Sequence, residues 1–109
     1  MNTRGPWFAE EGSVGKELIR RQREAFDEAL RQRRLEAALE LAVKLERVDR
    51  RNAARWAQRC GDIERRLGHQ ERAAEAYARA EKAYLDDGRE REASAMRSTR
   101  LSTCPPPAN

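Results

Sequence analysis

Few residues in this 109-residue chain could do chemistry, and their spacing argues against it. Catalysis by proton transfer needs groups of matched pKa held within reach of one another. His69 is the only histidine, and it falls beside Gly68 in what reads as an exposed turn. Cys60 has no histidine in its own helix to draw out a thiolate, and it lies on an apolar stripe with Trp56, which assigns it to a core. Cys60 and Cys104 have neither metal-ligand spacing nor the numbers of a disulfide framework. The carboxylate pairs Glu36 with Glu40 and Glu71 with Glu75 interleave with arginines at helical spacing, the composition of a solvated face. Residues 97–103 set serines and threonines beside Arg97 and Arg100, as a basic-directed phosphorylation segment would, but such neighbours are common. No glycine-rich phosphate loop is present. The expectation is a non-catalytic chain with no cofactor and no metal.

The elements that position these residues are helices. Charged residues make up 39% of the chain and aromatics 6%, with three of the four prolines at the end. Ala, Leu, Glu and Arg predominate, and no alternating apolar run is long enough for a strand, so the chain is expected to be all-α and one domain. Nothing approaches the ~18 apolar residues of a membrane span, and the N-terminus lacks the apolar core of a secretory signal. A cytoplasmic protein is expected. The net charge of +4 is carried almost wholly by arginine, which contacts carboxylate or phosphate bidentately.

The organising stretch is residues 60–83. Before Gly68, Trp56, Cys60, Ile63 and Leu67 recur at helical spacing; after it, Ala73, Ala76, Tyr77, Ala80 and Tyr84 do the same. Gly68 closes the first helix at positive φ, giving an αα-hairpin with a tight turn. Gly61, Ala73 and Ala80 allow the two backbones to approach, with Tyr77 filling the gap beside them. Gly61, Gly68, Ala73, Tyr77 and Ala80 together resemble the signature of a tetratricopeptide repeat. The resemblance covers about one repeat. Trp56 stands one residue from the family's usual aromatic position, and polar residues around Glu64 replace another aromatic. It implies tandem antiparallel αα-hairpins stacked as a right-handed solenoid.

A second copy should then recur at a fixed offset. Phe26 and Gly61, Ala38 and Ala73, Ala42 and Tyr77, and Leu45 and Ala80 are all 35 apart, close to the ~34-residue period of such arrays. About two repeats follow, occupying residues 13–101 together with a C-terminal capping helix. Residues 1–12, with Gly5, Pro6 and Gly12, read as a flexible arm in which Trp7 and Phe8 either fold back or contact another chain. Ser13 is the expected cap of the first helix. That helix shows two apolar stripes, Val14, Leu18, Ala25 and Ala29 beside Ile19, Phe26 and Leu30, as an inner helix contacted from both sides would. The turn at residues 32–34 lacks glycine, so a residue there must pay roughly 1 kcal/mol for positive φ. Asp49 or Asn52 is the expected cap of the third helix. The last helix repeats the glycine-to-alanine spacing, Gly88 to Ala93, with a thin apolar face of Ala93, Met96 and Leu101. Residues 102–109 form a proline-rich tail.

The resemblance also implies where a partner would bind. In that family the first helix of each hairpin lines a groove for an extended peptide or a partner helix. The faces turned away from the packing stripes carry Arg20, Arg23, Asp27 and Arg31 in the first such helix, and Arg55, Gln58, Asp62, Arg65 and Arg66 in the second. The groove is mainly basic and lacks the asparagines that hold a terminal carboxylate in some members. The expected function is a protein–protein interaction or adaptor module for an acidic or amphipathic segment. Two repeats are short of the ~3 that usually stand alone, so self-association through a structural helical module is the alternative. Nucleic acid is the weaker reading, because acids nearly match the arginines and no recognition helix is evident.

Overall fold

Three turns with one hydrogen-bond pattern set the order of the helices. The computed structural model describes the backbone of residues 4–107 and the side chains of residues 15–107. Its helices are α1 (Arg4–Arg31), α2 (Leu35–Val48), α3 (Ala53–Arg66), α4 (Gln70–Asp86) and α5 (Glu90–Thr103), with a single 3-10 turn at Arg50–Asn52 and no strand among the described residues. At the ends of α1, α3 and α4 the chain passes through Arg33, Gly68 and Gly88 at φ of 57°, 84° and 74°. In each, the next amide reaches back five residues: Arg34 to the Ala29 carbonyl, His69 to Glu64, Arg89 to Tyr84. This is the Schellman closure, which satisfies carbonyls the helix leaves open.

The residue after each left-handed position then starts the following helix. Arg34, His69 and Arg89 accept from the amides of Ala38, Ala73 and Ala93 at 2.9–3.0 Å, and none of the three makes a side-chain cap. Those three alanines are buried, because each stands where its helix crosses back over the one before. The glycine-to-alanine spacing of five residues is thus the signature of this turn.

Each helix packs against the next in the chain, and α3 lies at the centre. One flank of α3 (Trp56, Cys60, Ile63) joins Phe26, Ala29, Ala38, Ala42 and Leu45 of α1 and α2. The other (Ala54, Ala57) joins Ala73, Tyr77, Ala80, Tyr84, Ala93 and Met96 of α4 and α5. The Phe26 and Trp56 rings meet edge to face, 5.1 Å apart. At Gly61 a Cβ would stand 2.7 Å from Tyr77 Cε1, so the close approach expected there is required by the packing. The molecule measures 68 × 34 × 18 Å and its radius of gyration is 16.7 Å, against roughly 13 Å for a compact domain of this length. Its thinnest dimension holds about two helix layers.

Several local expectations change. The first helix begins at Arg4, not at Ser13: Pro6 falls in the first turn, where its missing N–H is not needed, so it does not interrupt the helix. The side chains of Trp7 and Phe8 lie outside the described ones. The second stripe, Ile19, Phe26 and Leu30, packs, and of the first Ala29 does; Leu18 is 50% exposed and Ala25 is exposed, and the side chain of Val14 lies outside the described ones, so α1 is an outer helix and α3 the one enclosed from both sides. Neither Asp49 nor Asn52 caps α3 with its side chain. The Asp49 carboxylate is buried and accepts from Trp56 Nε1 at 2.9 Å, with Asn52 Nδ2 3.2 Å away. At the C-terminus α5 continues through Thr103, which is buried where Leu101 is exposed, and stops before Pro105. Among the described residues no helix is long and apolar enough to cross a membrane.

Candidate functional site

The chain's positive excess can be set against one stretch, the Arg50–Asn52 turn and the helix α3 that follows it. Residues 50–66 carry six arginines (Arg50, Arg51, Arg55, Arg59, Arg65, Arg66) against Asp62 and Glu64, an excess equal to the +4 of the whole chain. The rest of the sequence is balanced. Because α3 spends both flanks on packing, its remaining surface is a narrow ridge on which Arg55, Arg65 and Arg66 are exposed and Arg59 half-buried. The Arg59 guanidinium lies over the Trp56 ring at 4.5 Å and the Phe26 ring at 5.6 Å, covering the seam between α1 and α3. Arg51, Arg55, Arg59 and Arg66 have no acidic partner among the described residues.

The nine residues assigned to a groove divide by what they touch. Arg20, Arg23 and Asp27 line a cleft of about 690 Å³ between α1 and the corner where α2 runs into the Arg50–Asn52 turn. Its other walls are Lys16, Arg50 and Arg51, the acids Glu24 and Asp49, and the apolar Ile19 and Val48. Arg20 is already occupied: it donates to Glu17 and to Glu24, and its bond to Glu17 holds that carboxyl below its usual pKa. Arg23 is exposed and has no such partner among the described residues. Arg31 pairs with Glu28 at 3.3 Å and, with Arg66, borders a smaller depression around Leu30 and Leu35. Arg55 lies exposed outside both.

Gln58 and Asp62 face the other way. Tyr84 donates to Gln58 Oε1 at 2.8 Å and Tyr77 to Asp62 Oδ1 at 2.6 Å, so both polar side chains tie α3 to α4. Burial first, and then the bond to Asp62, push the Tyr77 hydroxyl above the ordinary tyrosine pKa. Arg65 lies over the Tyr77 ring at 5.9 Å. The nine therefore do not form one continuous groove: three line the α1 cleft, three serve the α3–α4 seam, two border the lower depression and Arg55 touches none of these.

Other polar groups are spent on the seams. Glu46 of α2 accepts from Arg79 of α4 at 2.9 and 3.2 Å, with Cys60 Sγ 3.9 Å away. Glu81 of α4 accepts from Arg97 and Arg100 of α5 at 3.0 and 3.3 Å. His69 Nδ1 lies 2.8 Å from Glu64 Oε1. Burial, aided by the Glu46 charge, pushes the Cys60 thiol up to about 12, so at neutral pH it is protonated and not a nucleophile. Among the described residues no group of three His, Cys, Asp or Glu could hold a metal ion. Arg51, Arg59, Glu46 and Glu81 were not singled out from the sequence. The run of arginines against two acids was the signal available for the first two; the seam carboxylates pair with residues 16 to 33 positions away and gave no local one.

No protein-family model, curated protein or solved structure matches this chain.

Proposed function

We propose that this chain is a small non-catalytic interaction module, tetratricopeptide-like and cytoplasmic, that binds an acidic segment of another protein along the exposed ridge of α3. The observation that carries the reading is that residues 50–66 carry six arginines against two acids, an excess of +4, and that Arg51, Arg55, Arg59 and Arg66 make no ion pair among the described residues. A long, unpaired basic ridge attracts an anionic partner and sets its orientation. From Arg55 to Arg66 it runs about 16 Å along the helix. The repeat reading draws support from Ala38 and Ala73 in like turns and from the Gly61–Tyr77 contact; on it the helices stack as a short right-handed solenoid closed by α5.

The test is a nuclease-treated pull-down from lysate, alongside titration with a defined acidic probe, acetyl-octaglutamate-amide, at low salt. Arg55→Glu with Arg66→Glu alters two exposed residues, so the fold should survive while probe affinity falls at least tenfold and the retained protein is lost. Equal binding by the double variant refutes the ridge. Retention that disappears with nuclease transfers it to nucleic acid.

A further inference from the structure

The cleft at the N-terminal end of the ridge differs from the ridge in having an apolar floor. Val48, the last residue of α2, is 46% exposed, and half-buried Ile19 of α1 forms the floor with it. Around these two stand Lys16, Arg20, Arg23, Arg50 and Arg51. Of the three acids on the same walls, Glu24 accepts from Arg20 and buried Asp49 from Trp56 and Asn52, while exposed Asp27 is bonded to no described residue and is outnumbered by the five cations. Arg23 and Arg51 keep their charge without a partner among the described residues. Arg50 is turned back, donating to the Glu46 carbonyl at 3.1 Å. An apolar floor with free guanidinium groups at its rim is complementary to one kind of occupant, an apolar side chain with carboxylates beside it.

We propose that this cleft seats a single aliphatic side chain of the acidic partner segment, packed on Ile19 and Val48, while the acidic residues beside it continue along α3 over Arg55 and Arg66. The inference rests on the ridge reading above and adds its register. Arg51 belongs to both surfaces, lining the cleft and opening the ridge, so one segment reaches both without a break. The charge gives attraction that salt weakens; the aliphatic contact gives a fixed end point that salt does not remove. A partner is thereby distinguished from a featureless polyanion, whose carboxylates slide along the ridge at no cost.

The experiment compares acetyl-octaglutamate-amide with the same peptide extended by one leucine at either end, titrated against the full chain by calorimetry at low and at moderate salt. Burying most of a leucine side chain should tighten binding about tenfold for at least one of the extended peptides. Val48→Thr, close in shape and at an exposed position, should remove most of that gain and leave octaglutamate binding unchanged. Val48→Leu should keep the gain, and thermal melts of both variants control for folding. Leucine that adds nothing, or a gain that survives Val48→Thr, overturns the cleft while the ridge stands. Failure of all three peptides to bind the wild type overturns the ridge and the cleft together.

Discussion

Replacing Gly61 with alanine tests the packing of α3 on α4 at its tightest point. The added Cβ would meet Tyr77 Cε1, Cδ1 and Cζ at 2.7, 2.8 and 2.9 Å, whereas carbons rest at about 3.5–4.0 Å. The ring would have to withdraw by roughly 0.6–1.3 Å. It has nowhere to go: Tyr77 is fully buried, and its hydroxyl is bonded to Asp62, the residue after Gly61 on the same helix. Overpacking of this kind costs about 1–3 kcal/mol, and loss of the bond to a carboxylate would add about 1.5–3 kcal/mol. Alanine returns about 0.5–1 kcal/mol through helix propensity. The expected net loss is therefore about 0–2.5 kcal/mol if the bond survives and about 1.5–5.5 kcal/mol if it breaks, read as a lower urea midpoint by circular dichroism and a melting temperature down by roughly 4 °C per kcal/mol. The decisive measurement repeats the substitution in a Tyr77→Leu background, where the ring is gone and the helix gain should dominate. Gly61→Ala should there be neutral or slightly stabilising, a coupling of about 2 kcal/mol or more. An equal loss in both backgrounds, or a gain in the wild type, would refute the account of this contact.

Two further outcomes follow from the turns and the core. Arg33 holds the left-handed position that glycine holds at 68 and 88, so Arg33→Gly should relieve that strain and raise stability by about 0.5–1 kcal/mol in urea unfolding; a loss would mean that the Arg33 side chain makes a stabilising contact. The Cys60 thiol is pushed up to about 12 in the fold, while an unfolded thiol titrates near 8.5. Its contribution is thus full below about pH 8.5 and is lost as the pH rises toward the folded value, because only the unfolded chain releases the proton in that window. Cys60→Ala should flatten the fall in urea midpoint between about pH 8.5 and 10, at a cost of about 1 kcal/mol at neutral pH for the small cavity; parallel curves would show that the thiol is not responsible.

What could be read from the sequence is what repeats locally. The α3–α4 turn, the burial of Ala73, Tyr77 and Ala80, the close approach at Gly61 and the strained turn without glycine all follow from residues within one helix pair, where spacing alone fixes which side chains meet. Helix starts were less legible because Arg34, His69 and Arg89 begin helices through a backbone closure, without the Ser, Thr, Asp or Asn that marks a cap. Asp49 shows the converse: a residue of capping type whose carboxylate goes to the Trp56 indole seven residues away. The groove was legible as charge but not as geometry. Periodicity shows which face of α3 avoids the Trp56 stripe, yet α3 has two packed flanks, and Gln58 and Asp62 lie toward the second, where the α4 tyrosines claim them.

That double enclosure also bears on where an anion would be held. A helix packed on both sides must carry small or apolar residues over most of its circumference, as Ala53, Ala54, Ala57, Cys60, Gly61 and Ile63 do on α3. Little surface remains for mixed charges at i and i+4, and the ridge carries arginines with few acids among them. On α1, an outer helix, there is room for Glu17, Glu24 and Glu28 beside Arg20 and Arg31, so much of the positive charge there is cancelled within its own turn, and on α5 Arg97 and Arg100 are cancelled by Glu81 of α4. Local pairs of this kind contribute little to stability, about 0–1 kcal/mol each, but they neutralise the field. An uncancelled guanidinium on α3 therefore attracts an incoming carboxylate more strongly than an equally exposed one on α1. Charge reversal at Arg55 should accordingly weaken acidic-probe binding more than charge reversal at Arg20, although both arginines were assigned to one groove.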